Sequence, residues 1–286
     1  MTGRRRAAVL GSPIGHSLSP VLHRAAYATL DLDWSYEAIE VDEAGLAGFL
    51  DGLDESWAGL SLTMPLKRTV IPLLDRLSPT AAAVSAVNTV LLPGEGRRIG
   101  DNTDVAGIVA ALRAAPGGWI PVEKAAILGA GATAAATLAA LAGLGVRRAD
   151  VFIRSDYRAT EIRTAADRIG IVVRARSWAE ATSALAADLL ISTVPSGATD
   201  VLAGHLRQER PDKIAERQGG VLFDVVYDPW PTRLAAAWKT AGGTVVGGLD
   251  LLVEQAALQV ELMTGCRQAP LGVMRAAGEA ALSARH

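Results

Sequence analysis

The hydrophobic positions follow different patterns in the front and back parts of the chain. Ahead of residue 125, apolar and alternating runs predict strands at 7–10, 34–41 and 58–63, and a hairpin that pairs 85–92 with 98–104. From residue 125 onward short apolar runs alternate with helical segments, and the predicted strands are 125–128, 151–153, 171–173, 189–191, 221–224 and 244–246. This alternation predicts a parallel sheet covered by helices on both faces.

Helix signals lie between these strands. Ser19 followed by Pro20 reads as an N-cap and a first-turn proline, which predicts a helix to about Leu30. Pro65 also suits a helix start, and that helix is expected to continue to about Leu77. Further helices are predicted at 44–53, 105–114, 160–169, near 178, at 249–263 and at 271–283. The last of these has no partner in the second sheet, so we expect it to pack on the first domain.

The stretch 125–134 has the residue order of a dinucleotide-binding loop: a buried strand, two glycines and an alanine-rich helix. Gly129 lets the backbone turn sharply, Gly131 lets it approach a pyrophosphate, and the small Ala134 lets helix and strand pack. Because residues 125–146 carry no charge, a transmembrane helix is an alternative for this segment. The early glycines and the mildly apolar alanines favour strand, turn and helix.

Composition describes an ordinary globular chain of about two domains. It has 286 residues, of which 50% are apolar and 20% charged, and its net charge of -2 offers no general attraction to nucleic acid or an anionic membrane. The apolar run after Arg4–Arg6 is too short for a signal peptide. Cys266 as the one cysteine and four scattered histidines argue against disulfides and a metal site. We expect a cytoplasmic monomer or homodimer without membrane or nucleic-acid partners.

The tip of the second strand in a dinucleotide-binding fold contacts the adenosine ribose. Here Arg154 and Arg158 flank Ser155 and Asp156 at that tip. Guanidinium groups suit the 2′-phosphate of NADP, whereas an acidic residue at the strand end accepts from the 2′-hydroxyl of NAD. Because the strand does not end in Asp or Glu, the sequence favours NADP, and Asp156 is the argument for NAD.

Polar positions in the front part are candidates for chemistry. Lys67 is predicted in a first helical turn, where the helix dipole disfavours a cation by about 0.3–1 kcal/mol, and a residue placed against a local rule is a functional candidate. Ser17 and Ser19 lie at a helix N-terminus, which can hold a carboxylate or a phosphate. The structural alternatives are a solvated lysine, a capping serine and, for Asp104, a carboxylate that complements a helix dipole.

The order and spacing of these motifs resemble the shikimate dehydrogenase family from Gly11 to about Pro270. The matching strings are Gly-Ser-Pro-Ile-Gly-His-Ser-Leu-Ser-Pro at 11–20, Leu-Thr-Met-Pro-Leu-Lys at 62–67, Ala-Val-Asn-Thr at 86–89, Gly-Asp-Asn-Thr-Asp at 100–104, Gly-Ala-Gly at 129–131, Asp-Val-Val-Tyr-Asp-Pro at 224–229 and Gly-Leu-Asp-Leu-Leu-Val-Glu-Gln-Ala-Ala at 248–257. The resemblance implies reversible reduction of 3-dehydroshikimate to shikimate by NADPH, in aromatic amino acid biosynthesis.

The expected architecture is α/β with two domains. Residues 1–105 would form an α/β substrate domain and 106–247 a Rossmann-type, doubly wound NADP-binding domain. The helices of 248–286 would return to the substrate domain. Substrate and cofactor would then face each other across a cleft whose closure excludes water.

The resemblance also implies residue roles. Lys67 and Asp104 correspond to the paired catalytic residues of the family. The substrate carboxylate would be held by Ser17, Ser19 and Tyr227, and the ring hydroxyls by Thr63, Asn88, Asp104 and Gln255. The cofactor positions are Gly129, Ala130, Gly131, Ala132, Thr133, Arg154, Ser155, Arg158, Val225 and Gly248.

The chain departs from the family pattern at several positions. Ser85 replaces a usual glycine before Ala-Val-Asn-Thr, and Ile153 replaces a usual asparagine. Ala132 stands in place of a frequent third glycine, and Asp250-Leu251 in place of a common Gly-Met pair. The substrate strings therefore match the family better than the cofactor strings.

Lys67 is expected to act as the general acid in reduction and the base in oxidation, with the Asp104 carboxylate orienting its ammonium group. Alternatives on the same fold are an NAD-dependent quinate/shikimate or amino-shikimate dehydrogenase, a methylene-tetrahydrofolate-type dehydrogenase, and a non-catalytic sensor. A serine hydrolase that uses His16 and Ser17 is disfavoured, because adjacent residues in an extended loop point apart.

Overall fold

The computed structural model describes residues 4–119, 121–208 and 220–285. In chain order the strands are β1 (Arg5–Gly11), β2 (Trp34–Glu40), β3 (Trp57–Leu62), β4 (Arg76–Leu77), β5 (Thr89–Leu91), β6 (Ile99–Asp101), β7 (Ala125–Leu128), β8 (Arg148–Ile153), β9 (Val172–Ser177), β10 (Leu189–Ser192), β11 (Val221–Asp224) and β12 (Thr244–Val246). The helices are α1 (Ser19–Thr29), α2 (Leu46–Asp51), α3 (Leu66–Thr69), α4 (Pro79–Val84), α5 (Asp104–Ala114), α6 (Ala132–Gly143), α7 (Asp156–Ile169), α8 (Asp200–Gln208), α9 (Arg233–Thr240), α10 (Gly248–Thr264) and α11 (Leu271–Ser283). Short 3-10 helices cover Ile71–Leu73 and Trp178–Ala186.

The chain divides into two compact units. Unit 1 comprises Met1–Gly107 and Leu252–His286, and unit 2 comprises Ile108–Leu251. The chain thus leaves unit 1 within α5 and returns to it within α10. In unit 1 the last helix, α11, packs on α1.

Unit 1 contains a mixed sheet in the order β2-β1-β3-β5-β6-β4. β1 is parallel to both of its neighbours, β2 and β3, and β5 is antiparallel to β3 and β6. The predicted hairpin is confirmed, since Thr89 of β5 pairs with Asp101 of β6. In an antiparallel pair the start of one strand lies beside the end of the other. The hairpin therefore brings the residues just before β5 close to those just after β6.

Unit 2 contains a parallel sheet in the order β12-β11-β10-β7-β8-β9. Counted from β7, this is the order 3-2-1-4-5-6 of a doubly wound Rossmann sheet, which confirms the predicted fold class. Residues 125–143 form β7 and α6 with the turn between them, so the transmembrane alternative for the segment 125–146 was wrong. Across the described ranges, no helix is both long and apolar enough to cross a membrane.

Each unit has its own apolar core. The unit 1 core includes Leu10, Leu60, Leu62, Leu66, Val70 and Val87, and the unit 2 core includes Leu128, Phe152, Leu190, Leu222 and Trp238. Full burial of such a side chain contributes about 1.5–3 kcal/mol. Leu66 and Val70 anchor the short helix α3 in the unit 1 core, and this fixes the backbone on either side of Lys67.

The helix that begins after Pro65 is much shorter than predicted. α3 ends at Thr69, a 3-10 turn follows at Ile71–Leu73, and residues 76–77 form β4. Pro72 explains the early end, because proline has no N–H to donate and its ring clashes with the preceding turn. A helix of one turn has no separate N-terminal region, so the dipole argument for Lys67 does not hold.

Ser19 is not the N-cap of α1, contrary to the sequence prediction. It is the first helical residue, and the N-cap is Leu18, whose side chain makes no capping bond. Instead, the Ser17 hydroxyl accepts the N–H of Ser19 at 3.3 Å. Ser17 thus satisfies an N–H group that a helix start leaves without an intrahelical partner.

Candidate active site

Lys67 and Asp104 form an ion pair within unit 1. Lys67 Nζ lies 2.5 Å from Asp104 Oδ2, and the two side chains are only 16% and 6% exposed. A charge this far from water requires an opposite charge or several hydrogen bonds. Lys67 is therefore not the solvated surface lysine that the sequence left open, and Asp104 does more than complement the dipole of α5.

Asn88 connects this pair to its surroundings. Its Nδ2 donates to Asp104 Oδ1 at 2.8 Å and lies 3.0 Å from Thr103 Oγ1 and 3.3 Å from Gln255 Oε1. Its Oδ1 accepts the N–H of Thr103 at 2.8 Å and the hydroxyl of Thr89 at 2.8 Å. The amide is therefore held on both sides, with its donor turned toward the carboxylate.

The sheet of unit 1 explains why these residues meet. Asn88 directly precedes β5 and Asp104 comes three residues after β6, so the hairpin places them side by side. The N–H of Val87 donates to the backbone oxygen of Lys67 at 2.7 Å, which ties α3 to the start of β5. Gln255 reaches the cluster from α10, where it is buried rather than solvated.

Three other predicted substrate residues lie apart from this cluster in the hydrogen-bond network. Ser17 and Ser19 are at the start of α1, and Ser19 is buried. Thr63 follows β3 directly, and its N–H donates to the backbone oxygen of Leu10 at 2.9 Å. Within the described part of unit 1, none of the three makes a hydrogen bond to Lys67. Tyr227, the remaining predicted substrate residue, belongs to unit 2.

The glycine loop of unit 2 turns sharply out of β7 and leads directly into α6. Gly129 has a φ of +101°, and a Cβ there would lie 2.7 Å from Thr193 Oγ1, so glycine is needed for the turn out of β7. Gly131 is the N-cap of α6 and supplies no side-chain cap. A Cβ on Gly131 would meet no atom within 4 Å, so protein packing leaves this position open. Ala130, Ala132 and Thr133 complete this loop, and a helix start of this kind has N–H groups that are able to bind an anion.

The loop after β8 carries the predicted 2′-phosphate residues. The Arg154 guanidinium lies over the Trp178 ring, 4.6 Å from its centroid, whereas Arg158 pairs with Glu161 at 2.8 Å. Ser155 is the N-cap of α7 and makes no side-chain capping bond. Stacking on an aromatic ring leaves the N–H groups at the edge of the Arg154 guanidinium available for hydrogen bonds.

Val225 and Gly248, the other predicted cofactor residues, are in contact. A Cβ on Gly248 would lie 2.2 Å from the backbone oxygen of Val225, so only glycine permits this approach. Asp224, which directly precedes Val225, is buried and accepts a hydrogen bond from the Thr232 hydroxyl at 2.8 Å. Burial raises the pKa of Asp224, and its hydrogen bonds to Thr232 and Val226 act in the opposite direction.

Comparison with known proteins identifies the family. Residues 9–90 match the model of the shikimate dehydrogenase substrate binding domain, and residues 248–277 match that of the shikimate 5′-dehydrogenase C-terminal domain. Over 277 residues the chain is 37% identical to the shikimate dehydrogenase (NADP(+)) of Oleidesulfovibrio alaskensis, covering 96% of this chain and 94% of that protein. The chain belongs to the shikimate dehydrogenase family. The resemblance seen in the sequence motifs is confirmed.

Solved structures agree with this assignment. The shikimate dehydrogenase of Mycobacterium tuberculosis is 39% identical with a TM-score of 0.83, covering 96% of this chain and 99% of that one. The Thermus thermophilus shikimate 5-dehydrogenase, solved in complex with NADP(H) and shikimate, is 34% identical with a TM-score of 0.80, covering 97% and 100%.

The structure shows the local setting of two departures from the shikimate dehydrogenase pattern. Ser85 ends α4 in the left-handed conformation, with φ +49°, where glycine is the residue that pays no steric cost. Asp250, in place of a common glycine, accepts the N–H of Gly247 at 3.1 Å in the first turn of α10. A carboxylate at that end of a helix is stabilised by the dipole.

Sequence reasoning missed one buried polar group beside the Lys67–Asp104 cluster. Ser61, Thr89 and Gln259 are all buried and all lie in one hydrogen-bonded network with Asn88. A signal was present, because Gln259 comes four residues after Gln255 and so lies on the same face of α10. In the described ranges, no cluster of three or more His, Cys, Asp or Glu side chains is arranged to hold a metal ion.

Proposed function

We propose that this chain catalyses the reversible NADPH-dependent reduction of 3-dehydroshikimate to shikimate, in aromatic amino acid biosynthesis. The observation that carries the proposal is the buried Lys67–Asp104 pair, held by Asn88 in a chain of the shikimate dehydrogenase family. Carbonyl reduction requires a proton donor beside groups that hydrogen-bond the substrate, and a paired ammonium group among amide and hydroxyl side chains can supply both. A non-catalytic sensor would not require the Lys67 and Asp104 charges to be buried together.

Lys67 supplies the proton in this proposal. When bound, the reduced nicotinamide supplies a hydride to the ring carbonyl carbon. As that carbon–hydrogen bond forms, the carbonyl electron pair moves to oxygen, and the Lys67 ammonium group donates its proton there. In shikimate oxidation the neutral amine takes the hydroxyl proton back. Asp104 keeps the ammonium group oriented throughout and accepts from an adjacent ring hydroxyl.

The substrate residues divide by chemistry. The N-terminus of α1 offers the Ser17 and Ser19 hydroxyls to the carboxylate, with Tyr227 as a further proposed carboxylate residue. Neutral amide and hydroxyl groups suit the ring hydroxyls, and this set is Thr63, Asn88 and Gln255, together with Asp104.

The cofactor residues follow the Rossmann pattern. The pyrophosphate would lie on the loop of Gly129, Ala130, Gly131, Ala132 and Thr133. Arg154, Ser155 and Arg158 would hold the 2′-phosphate, which supports NADP over NAD. Val225 and Gly248 would bound the nicotinamide end.

Shikimate oxidation with each cofactor tests the proposal. Purified protein is mixed with shikimate and either NADP+ or NAD+, and reduced nicotinamide is followed by absorbance; quinate replaces shikimate in a parallel set. We expect kcat/KM to be highest for shikimate with NADP+. A preference for quinate with NAD+ would support the quinate dehydrogenase alternative, and no reduction with any pair would support the sensor.

A cytoplasmic location and a monomeric or homodimeric state complete the proposal. Cys266 is the one cysteine of the sequence and cannot form an intramolecular disulfide, so folding does not require an oxidising compartment. Light scattering of the purified protein reports its mass and decides between monomer and dimer.

A further inference from the structure

A chain of buried hydrogen bonds runs through the sheet of unit 1 to the Asp104 carboxylate. The Tyr36 hydroxyl lies 2.6 Å from Ser61 Oγ, and Ser61 Oγ lies 2.7 Å from Gln259 Oε1. Gln259 Nε2 lies 3.0 Å from the backbone oxygen of Asn88 and 3.0 Å from Thr89 Oγ1. Tyr36, Ser61, Gln259, Thr89 and Asn88 are each at most 4% exposed.

The sheet places the members of this chain next to one another. Ser61 of β3 is directly opposite Thr89 of β5, and side chains of opposite residues share a face. Tyr36 of β2 reaches Ser61 over β1, the strand between them. Gln259 of α10 covers this face of the sheet and bonds to both β3 and β5.

The backbone oxygen of Asn88 fixes the direction of every hydrogen bond in the chain. A carbonyl oxygen only accepts, so the Gln259 atom that faces it is the donor Nε2, and Oε1 faces Ser61. Ser61 must then donate to Gln259 and accept from Tyr36. Burial raises the pKa of Tyr36 well above its ordinary value, so its hydroxyl keeps the proton that it donates.

Thr89 and Asn88 extend the chain to the Lys67–Asp104 pair. Thr89 Oγ1 accepts a hydrogen bond from Gln259 Nε2, and the Thr89 hydroxyl donates a hydrogen bond to Asn88 Oδ1, 2.8 Å away. The oxygen of the Asn88 amide is thereby held away from Asp104, and the donor Nδ2 faces the carboxylate at 2.8 Å. The N–H of Thr103 favours the same orientation from the other side.

We propose that Gln259 is a positioning residue for the reaction: through Thr89 it holds the Asn88 amide with its donor on Asp104. This inference rests on the proposed function. Without the chain, Asn88 Oδ1 keeps the N–H of Thr103 but loses the hydroxyl of Thr89, so the amide is held less firmly against Asp104 and the Lys67 ammonium group is oriented less precisely. In the described part of unit 1, Gln259 makes no hydrogen bond to the side chain of Lys67 or of Asp104.

Two kinds of substitution test this role in the full-length protein. Gln259→Met keeps the length of the side chain and removes its amide. Thr89→Val keeps the shape of the side chain and removes its hydroxyl, whereas Thr89→Ser keeps the hydroxyl and removes a methyl group. Thr264→Val is the matched control, because the Thr264 hydroxyl lies on the same helix, α10, and bonds to the Val260 backbone oxygen.

Positioning and packing predict opposite orders for the two Thr89 variants. With shikimate and NADP+, we expect kcat to fall about tenfold in Gln259→Met and Thr89→Val, since about 1.4 kcal/mol of lost orientation is a factor of ten. Thr89→Ser should recover most of kcat, although it leaves a cavity. KM for NADP+ should stay within about twofold of wild type in all variants, and Thr264→Val should match wild type throughout.

The inference is overturned on its own if wild-type protein oxidises shikimate while Gln259→Met and Thr89→Val keep the wild-type kcat. It is also overturned if Thr89→Ser is as impaired as Thr89→Val, because packing would then explain the loss. If Gln259→Met fails to fold, the Thr89 pair decides by the same comparison. A wild-type protein that does not oxidise shikimate instead overturns the proposed function, and this inference with it.

Discussion

Asn88 holds one oxygen of Asp104 with its amide, at 2.8 Å, and leaves the other oxygen to Lys67. Two different donors on the two oxygens fix the plane of the carboxylate. The ammonium group is thereby held in one direction, although a lysine side chain has four rotatable bonds in solution. This arrangement depends on Asp104 accepting at both of its oxygens.

Asp104→Asn is expected to lower kcat about a hundredfold or more with a smaller change in KM for shikimate, because an amide cannot accept from both donors. Steady-state shikimate oxidation with NADP+ measures both constants. Asp33→Asn, an exposed carboxylate that pairs with Arg4 in unit 1, is the control. If only KM rises in Asp104→Asn, then Asp104 is a binding residue and does not orient the proton donor.

Arg154→Ala is expected to raise KM for NADP+ about tenfold to a hundredfold, which is the loss of a charge-assisted hydrogen bond to a phosphate. KM for NAD+, which has no 2′-phosphate, should be unchanged. Arg158→Ala should have a smaller effect on NADP+, because the Arg158 guanidinium already pairs with Glu161. Initial rates with each cofactor at saturating shikimate give these constants.

Arg148, at the opposite end of β8 from Arg154, supplies the control for this prediction. Arg148→Ala should leave both cofactor constants at their wild-type values. An equal rise in KM for NADP+ and NAD+ in Arg154→Ala would mean that Arg154 supports the loop and does not recognise the 2′-phosphate.

Ser85→Gly is expected to stabilise the protein by about 0.5–1 kcal/mol without changing kcat. Ser85 lies in the left-handed region, which costs a non-glycine residue about 1–2 kcal/mol. Glycine avoids this cost, but its greater freedom in the unfolded chain cancels part of the stabilisation. Ala82→Gly, inside α4, should instead destabilise by about 0.5–1 kcal/mol. Urea unfolding curves give both values; a less stable Ser85→Gly would mean that the serine side chain contributes more than its backbone costs.

Much of the fold could be predicted because each strand and helix leaves a local pattern. The order of apolar strands and helices after Ala125 was enough for the Rossmann class, and turn residues were enough for the β5–β6 hairpin. The order of strands within a sheet depends on distant contacts that periodicity does not record. The early end of α3 is a different case: Pro72 was visible in the sequence and should have stopped the predicted helix before Leu77.

The sequence placed Lys67, Asp104, Asn88 and Gln255 in one site only through the resemblance of their motifs to a family. Their contacts come from four separate segments, which no local rule brings together. Gln259 was missed because a single glutamine on a helix is ordinarily solvated. Its hydrogen bonds go to Ser61 and Thr89, which pair on the sheet beneath it, and that pairing exists only in the folded protein.

The stability of the protein is expected to fall between pH 6.5 and pH 4 because of His23. Burial lowers the pKa of His23 from 6.5 to about 4, against the opposing effect of the hydrogen bond from its Nδ1 to the Ser19 backbone oxygen. Below pH 6.5 His23 binds a proton in the unfolded chain, whereas in the folded chain it stays neutral until about pH 4. The resulting loss approaches about 3 kcal/mol at the acid end.

His23→Phe isolates this effect, because a phenyl ring can keep the stacking on Tyr36, whose ring centroid lies 3.9 Å from that of His23. Free energies of unfolding are measured from pH 7 to pH 4 for both proteins. The free energy of unfolding of the wild type, minus that of the variant, should decrease steadily as the pH falls. A difference that stays constant over this range would show that His23 does not remain neutral in the fold. His205→Phe, an exposed histidine of α8, is the control.

The turnover of Lys67→Met tests the central claim most directly. With shikimate and NADP+, the variant is expected to lose about 10²–10⁴-fold in kcat, because the group that exchanges the proton is gone. Lys124→Met, an exposed lysine of unit 2, should retain the wild-type kcat. A folded Lys67→Met protein that turns over shikimate at close to the wild-type rate would contradict the assignment of Lys67 as the acid and base of the reaction.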